Sequence, residues 1–208
     1  VVDRGLLVVH VGGHGDGALT AFDAASGAPR WAWKGDGPGY ASPVVGSLAG
    51  ARQVVTQTQS FLVGLALDSG ALLWKVPFAT DYDQNAVTPI LHGDLLVYGG
   101  LDHPLHAIRV SREGGGYATQ EAWRNPEVSS YLSSPVLAEG RIYGLSRRKK
   151  GQLYCLDAAT GKTLWLSEGR VGDNAALVAG GGALFVLDTD AELSVAPLGA
   201  ASFAPLRT

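Results

Sequence analysis

Apolar residues along this chain gather in short runs, and turn-forming residues close each one. ASPVV (Ala41–Val45), RQVVTQT (Arg52–Thr58), VTPIL (Val87–Leu91), DLLVYGG (Asp94–Gly100), SSPVL (Ser133–Leu137), RIYGLS (Arg141–Ser146) and LYCLD (Leu153–Asp157) are dominated by β-branched, aromatic and leucine side chains. Gly, Asp, Asn and Pro separate the runs. No stretch sustains apolar positions at helical spacing between caps. The pattern predicts many short strands joined by tight turns.

The runs recur in register. FDAASGAPRW (Phe22–Trp31), LALDSGALLW (Leu65–Trp74) and LDAATGKTLW (Leu156–Trp165) each place Gly four residues before Trp, and Ala107–Trp123 is a degenerate copy with a longer turn. Trp31, Trp74, Trp123 and Trp165 are 43, 49 and 42 residues apart, while Pro43, Pro89 and Pro135 are 46 apart each time. Each unit reads as a Pro-led strand, a β-branched or aromatic strand, an LYCLD-type strand and a strand opening at Trp. A period in the forties with four strands per unit predicts an all-β β-propeller portion of about four to five antiparallel blades. A four-stranded sheet buries both faces only against neighbours, so the four indoles are expected to wedge between stacked sheets. Gly27, Gly70 and Gly161 are expected in left-handed turns. The blades divide as 1–35, 40–79, 83–127, 129–170 and a partial 173–199. Residues 200–208 are expected to form a loose tail.

Composition narrows the function classes. The chain has 208 residues and a net charge of −3, which points away from nucleic acid. Its one cysteine, Cys155, allows no internal disulfide and reads as a buried thiol. No apolar run approaches the length of a membrane span, so no membrane insertion is expected. The chain opens on VVDRG and contains no Met, and it reads as a portion of a longer protein. The missing propeller blades of that parent are then partners, and the bare ends of the arc are expected to self-associate.

The repeat, as it stands in LDAATGKTLW and FDAASGAPRW, resembles the tryptophan-docking motif of the pyrroloquinoline-quinone-like (PQQ-like) propellers. The SPVV strand start and the LYCLD strand are similar to that family too, over about Val1 to Pro197. Blade two departs from it with Ala66 in place of Asp, and blade three with Arg109 and an insertion. The resemblance implies one of two branches. Quinoprotein dehydrogenases hold PQQ and calcium on the propeller axis, and their alcohol-oxidising members carry an adjacent cysteine pair, which this chain lacks. A cofactor-free branch includes the lipoprotein scaffold of the outer-membrane β-barrel assembly machinery. The missing cysteine pair favours the second branch, with no cofactor and a periplasmic or secreted location.

Motifs that suggest chemistry have simpler readings. GKT at Gly161–Thr163 ends no phosphate loop, because the Gly required five residues before Gly161 is Leu156. GGHGDG (Gly12–Gly17) aligns with a hairpin turn. His10, His14, His92, His103 and His106 read as solvated turn and strand residues, and zinc needs three or four converging ligands. Paired carboxylates occur at Asp81–Asp83 and Asp188–Asp190, and the second pair sits at a hairpin turn. RRKK (Arg147–Lys150) reads as a solvated hairpin, with contact to an acidic partner as the alternative.

The loops leading into each blade's first strand carry the candidate site: Tyr40, Tyr82, Asp83, Gln84, Asn85, Ser130, Tyr131, Asp173 and Asn174. Such loops converge around a propeller axis and form a polar, aromatic-bearing rim suited to a protein or a small polar ligand. Good turn formation alone also accounts for these residue types. The expected function is a non-catalytic binding or scaffolding module. The alternative is a fragment of a PQQ-dependent dehydrogenase acting on alcohols or sugars.

Overall fold

Strands pair strictly in chain order. The computed structural model describes residues 1–206 and contains five antiparallel sheets. The first joins β1 (Val2–Asp3), β2 (Leu6–Val11), β3 (Ala18–Asp23) and β4 (Pro29–Trp33). The second joins β5 (Val44–Leu48), β6 (Ala51–Gln57), β7 (Phe61–Ala66) and β8 (Leu72–Pro77). The third contains β9 (Ile90–His92), β10 (Leu95–Tyr98), β11 (Leu105–Glu113) and β12 (Gly116–Asn125). The fourth contains β13 (Val136–Ala138), β14 (Arg141–Ser146), β15 (Gln152–Asp157) and β16 (Thr163–Leu166). The fifth has only β17 (Ala175–Gly180), β18 (Ala183–Asp188) and β19 (Leu193–Pro197). No helix among the described residues is long and apolar enough to cross a membrane.

The sheets form a β-propeller arc, and its core lies between them. Successive residues of a strand face opposite ways. Val54 therefore packs with Val8, Leu19 and Ala21 of blade one, while Val55 packs with Leu96 and Ile108 of blade three. Likewise Ile142 faces Val97 and Leu105, while Tyr143 faces Leu177 and Val186. Each of the four apolar clusters spans two adjacent blades. Fully burying one such aliphatic side chain stabilises by about 1.5–3 kcal/mol, so the inter-blade seams carry most of the apolar driving force.

Residues that precede proline stitch the inner strands together. The Ser42 amide donates to Thr88 Oγ1 at 3.3 Å, and the Thr88 amide donates to Ser134 Oγ at 3.1 Å. These residues stand 46 apart, immediately before Pro43, Pro89 and Pro135. Each hydroxyl thus satisfies an amide of the preceding blade that has no strand partner.

The Asp-to-Gly turn joins third and fourth strands. Asp157 Oδ1 accepts from the Thr160 amide at 2.8 Å and from its hydroxyl at 2.7 Å. Asp23 Oδ1 does the same with Ser26, and these bonds hold the Asp23 carboxyl down at about 2. Gly70 and Gly161, both at φ +70°, follow in left-handed geometry, and the preceding blade's indole lies against each. Trp31 Nε1 donates to the Leu67 carbonyl at 2.8 Å, and Trp123 Nε1 donates to Ala158 at 3.2 Å.

Trp74 is arranged differently. Its Nε1 donates to Gln53 Oε1 of its own sheet at 2.6 Å, and its ring covers Gly64. The next blade offers it no Asp-x-x-Thr-Gly turn. In its place β11 and β12 extend into a long hairpin that packs along β8, with Tyr117 against the Trp74 cluster.

Residues 200–206 depart from the loose tail expected. Trp165 Nε1 donates to the Ala200 carbonyl at 3.0 Å, Phe203 packs against the same indole, and the Leu206 amide donates to Val195 at 2.7 Å. This segment takes the place of the missing turn for the last indole. Residues 207 and 208 of the expected tail lie outside the described residues. The outer faces of the first and last sheets remain bare, with Leu7, Val9 and Val11 exposed at one end and Val178, Phe185 and Leu187 at the other.

Candidate functional site: the rim of inter-blade loops

Antiparallel order brings two kinds of loop to one end of every sheet. The turn from second to third strand and the loop from fourth strand to the next blade both emerge there. The contacts follow from that parity. His14, in the 2–3 turn of blade one, lies 3.6 Å from Asp83 in the loop entering blade three. The Arg147 amide, in the 2–3 turn of blade four, donates to Ser129 at 3.0 Å.

The nine candidate residues fall into three groups. Asn85 and Ser130 depart from the expectation of ligand contact, because both are fully buried. The Asn85 side-chain Nδ2 donates to the Thr58, Gln59 and Phe78 carbonyls at 2.7, 3.1 and 2.8 Å, and the Asn85 backbone carbonyl accepts from the Tyr40 and Ala41 amides. It holds three loops together. Ser130 Oγ bonds Tyr154 Oη at 2.8 Å beneath the rim, and burial drives that phenol's pKa upward.

Tyr40, Tyr82 and Asp83 form the second group and are open to solvent. Tyr82 is 82% exposed, on a short 3-10 turn where it and Asp83 both take left-handed backbone (φ 64° and 55°). Two consecutive non-glycine residues in that region cost about 1–3 kcal/mol each. The cradle formed by Asn85 offsets this and presents the Tyr82 ring outward.

The third group converges. Tyr131 Oη donates to Gln84 Oε1, and the Arg147 guanidinium sits 5.0 Å above the Tyr131 ring. Beside them Asp173 and Asn174 line a cleft of about 290 Å³, shared with Tyr131, Arg147, Lys150 and Arg170. Arg170 pairs with Asp173 at 2.6 Å, and that hydrogen bond raises the guanidinium's pKa further.

The basic turn is more than the solvated hairpin expected. Arg148 donates to the Pro126 carbonyl at 2.5 Å and to Asp102 at 2.7 Å, fastening the turn to blade three. Arg170 is the site residue that sequence reasoning missed, and Arg147 and Lys150 entered it only through the alternative reading of the RRKK turn as a partner contact. Their signal was available in the strand order, since a 2–3 turn shares its end of the sheet with the inter-blade loops.

Other predicted positions lie away from the rim's open face. His106 is not solvated: it stacks on Tyr98 with centroids 5.2 Å apart, contacts Glu121 at 3.2 Å, and burial holds its pKa down. His103 packs edge-on against Phe78, 5.0 Å away. Cys155 is fully buried between blades four and five, and burial pushes its thiol up to about 11.

Comparison with known proteins agrees with this architecture. A family model described as outer membrane protein assembly factor BamB, of PQQ-like repeats, matches residues 1–167. The structure of BamB from Moraxella catarrhalis superposes with a TM-score of 0.69 at 20% identity, covering 95% of this chain and 59% of that one. This chain thus spans about three fifths of that relative. Two computationally designed proteins share the fold. Ika8 has a TM-score of 0.52 at 12% identity, covering 97% of this chain and 70% of its own. Ika4 has a TM-score of 0.52 at 17% identity, covering 76% and 92%. No curated protein sequence matches.

Proposed function

This chain belongs to the BamB family of outer membrane protein assembly factors, and we propose that it serves as a non-catalytic scaffold arc whose loop rim engages a protein partner. The family points to a periplasmic, exported setting. One observation carries the reading: fixed loops hold Tyr40, Tyr82 and the Gln84–Tyr131–Arg147 row outward at a single end of the blades. Aromatic and arginine side chains on a preorganised surface favour protein contact, because little conformational entropy is lost on binding.

Site-specific photo-crosslinking tests the proposal. A crosslinker replaces Tyr82 or Tyr40, with Ser69 and Ala159 at the opposite end of the blades as controls. A discrete protein adduct belonging to the outer-membrane assembly machinery, from the rim positions only, is expected. Adducts confined to the control positions contradict it. Tight binding of PQQ with calcium, coupled to dye-linked oxidation of an alcohol or sugar, favours the dehydrogenase reading instead.

A further inference from the structure

Blades two and three part at one corner of their seam. A cavity of about 420 Å³ opens there, beside the ends of β8 and β10 and along β11 and β12. Its walls include the rings of Phe78, Tyr98, His103 and His106 and the charged side chains of Glu121 and Arg124. We propose that this cavity binds a small aromatic acid that also carries a hydroxyl group. Such a ligand goes beyond the scaffold reading and uses none of the residues that the rim presents to a protein.

Comparison among the blades separates this chemistry from the needs of the fold. His106 sits in register between Tyr98 and Arg124 across β10, β11 and β12. Aligned on the residue that pairs with each Trp, the matching trios elsewhere are uncharged or carry a single Lys. They are Val9, Thr20 and Ala32, then Thr56, Val63 and Lys75, then Gly144, Tyr154 and Leu166. Glu121 joins the trio of blade three through a bulge. The register of β11 and β12 slips between Ala107 and Ile108, which leaves Ala122 unpaired and re-aims Glu121. Glu121 thereby meets both His106 and Arg124. The same position two before Trp is Pro29, Leu72 or Thr163 in the other blades.

Unused hydrogen-bonding capacity defines the polar groups of the ligand. Hydrogen bonds from Arg124 and His106 hold the Glu121 carboxyl below its ordinary pKa, so it is ionised and accepts. His106 Nδ1–H therefore donates to Glu121 Oε2 at 3.2 Å. Burial holds the imidazole's pKa down, and the neutral ring keeps a lone pair on Nε2. That nitrogen has no partner among the described residues and is matched by a hydroxyl donor. Arg124 donates through Nε and Nη2 to Glu121 Oε2 at 3.3 and 3.0 Å, and its Nη1 has no partner among the described residues. This exposed guanidinium edge at the mouth suits a carboxylate. An ammonium ion suits it less, because Arg124 already holds the Glu121 carboxylate and repels a second cation.

The apolar walls call for a ring. Phe78 lies edge-on to Tyr98 at 5.1 Å and to His103 at 5.0 Å, and Tyr98 stacks on His106 at 5.2 Å. Phe78 and Tyr98 are buried, and the four rings hold one another in place. A further ring joins them at little cost in side-chain freedom. The cavity's volume is in the range that small ligands occupy.

NMR titration of the 208-residue chain tests this, following the His106 imidazole and the Arg124 Nε–H signals. The probes are para-hydroxybenzoate, para-methoxybenzoate, benzoate, benzylamine and acetate. The hydroxy acid is expected to bind tightest, with a Kd on the order of 1 mM or below. The methoxy acid, which cannot donate, is expected to bind no better than benzoate. Arg124→Gln is expected to weaken binding of the hydroxy acid at least about tenfold. His106→Phe keeps a ring on Tyr98 and is expected to abolish the advantage of the hydroxy acid over benzoate. A purely structural His106 would leave that advantage unchanged.

Absence of a saturable shift at either group overturns the proposal. Acetate binding as tightly as benzoate reduces the site to a bare anion contact and also overturns it. Tightest binding by benzylamine reverses the charge assignment and does the same. Binding that survives Arg124→Gln, or a hydroxyl preference that survives His106→Phe, contradicts it too. Should His106→Phe fail to fold, the methoxy acid decides: binding equal to that of the hydroxy acid overturns the role given to Nε2.

Discussion

The Trp31 indole rests against Gly70 of the following blade while its Nε1–H donates to Leu67, three residues before that glycine. Turn and indole are therefore one joint, and the glycine is required twice. It supplies the positive φ, and it leaves room for the ring: a Cβ at Gly70 would lie 2.5 Å from Trp31, and one at Gly161 2.3 Å from Trp123. Gly27 has the same φ but nothing within 4 Å. Gly27→Ala is therefore expected to cost only the left-handed backbone, about 1–2 kcal/mol. Gly70→Ala and Gly161→Ala are expected to cost a further 1–3 kcal/mol or so from overpacking. Urea-unfolding midpoints of the three variants measure the difference.

Asn85 is expected to behave as a structural keystone of the rim. Asn85→Ala strands the Thr58 and Phe78 carbonyls in a buried site, at a cost of about 2–4 kcal/mol. Asn85→Asp is expected to be worse near neutral pH, because a carboxylate donates to no carbonyl. Denaturation combined with crosslinking at Tyr82 checks both effects, since the loop carrying Tyr82 should lose its fixed position.

Stability should fall on acidification below about pH 6.5. Burial lowers the folded-state pKa of His10 and of His106, and His10 Nε2 is enclosed without a partner. Depressed folded values mean that the unfolded chain takes up protons first. The stabilising contribution is present above the unfolded value of about 6.5 and is lost as pH falls through the folded values. Melting temperatures between pH 7.5 and 5 should drop, and the double variant His10→Gln, His106→Gln should flatten that slope. The depressed carboxyls, led by Asp23 at about 2, act only at far lower pH.

Self-association is expected through the two outer faces. Leu7, Val9 and Val11 at one end, and Val178, Phe185 and Leu187 at the other, form apolar surfaces of the kind that interior blades bury. Light scattering of the 208-residue chain should report dimers or larger species. Val9→Lys with Val178→Lys should shift it toward monomer, with little effect on its unfolding midpoint.

Much of this architecture was legible in the sequence. Trp and Pro at matched spacing identified stacked four-stranded units, because a repeated indole and a repeated strand start need repeated surroundings. What stayed hidden depends on neighbours far apart in the chain. Nothing local distinguishes Trp74 from Trp31; the difference lies in blade three, whose inserted hairpin removes the turn that would receive it. Asn85 resembles Gln84 in sequence, yet one is buried among carbonyls and the other reaches Tyr131. Arg147 and Arg148 are adjacent and identical, but one projects over the rim and the other bonds the blade behind it. The docking of Ala200 and Phe203 on Trp165 stayed hidden because a run rich in Ala and Pro shows no period.

Hydrogen exchange of the indole Nε1–H groups, resolved by 15N NMR, tests the central structural claim most directly. Trp31, Trp74, Trp123 and Trp165 each donate to a fixed oxygen, while Trp33 has no acceptor among the described residues. Slow exchange at the four bonded indoles and fast exchange at Trp33 is the expected result. Equal, near-unprotected exchange at all five would contradict the docking of each blade on its neighbour.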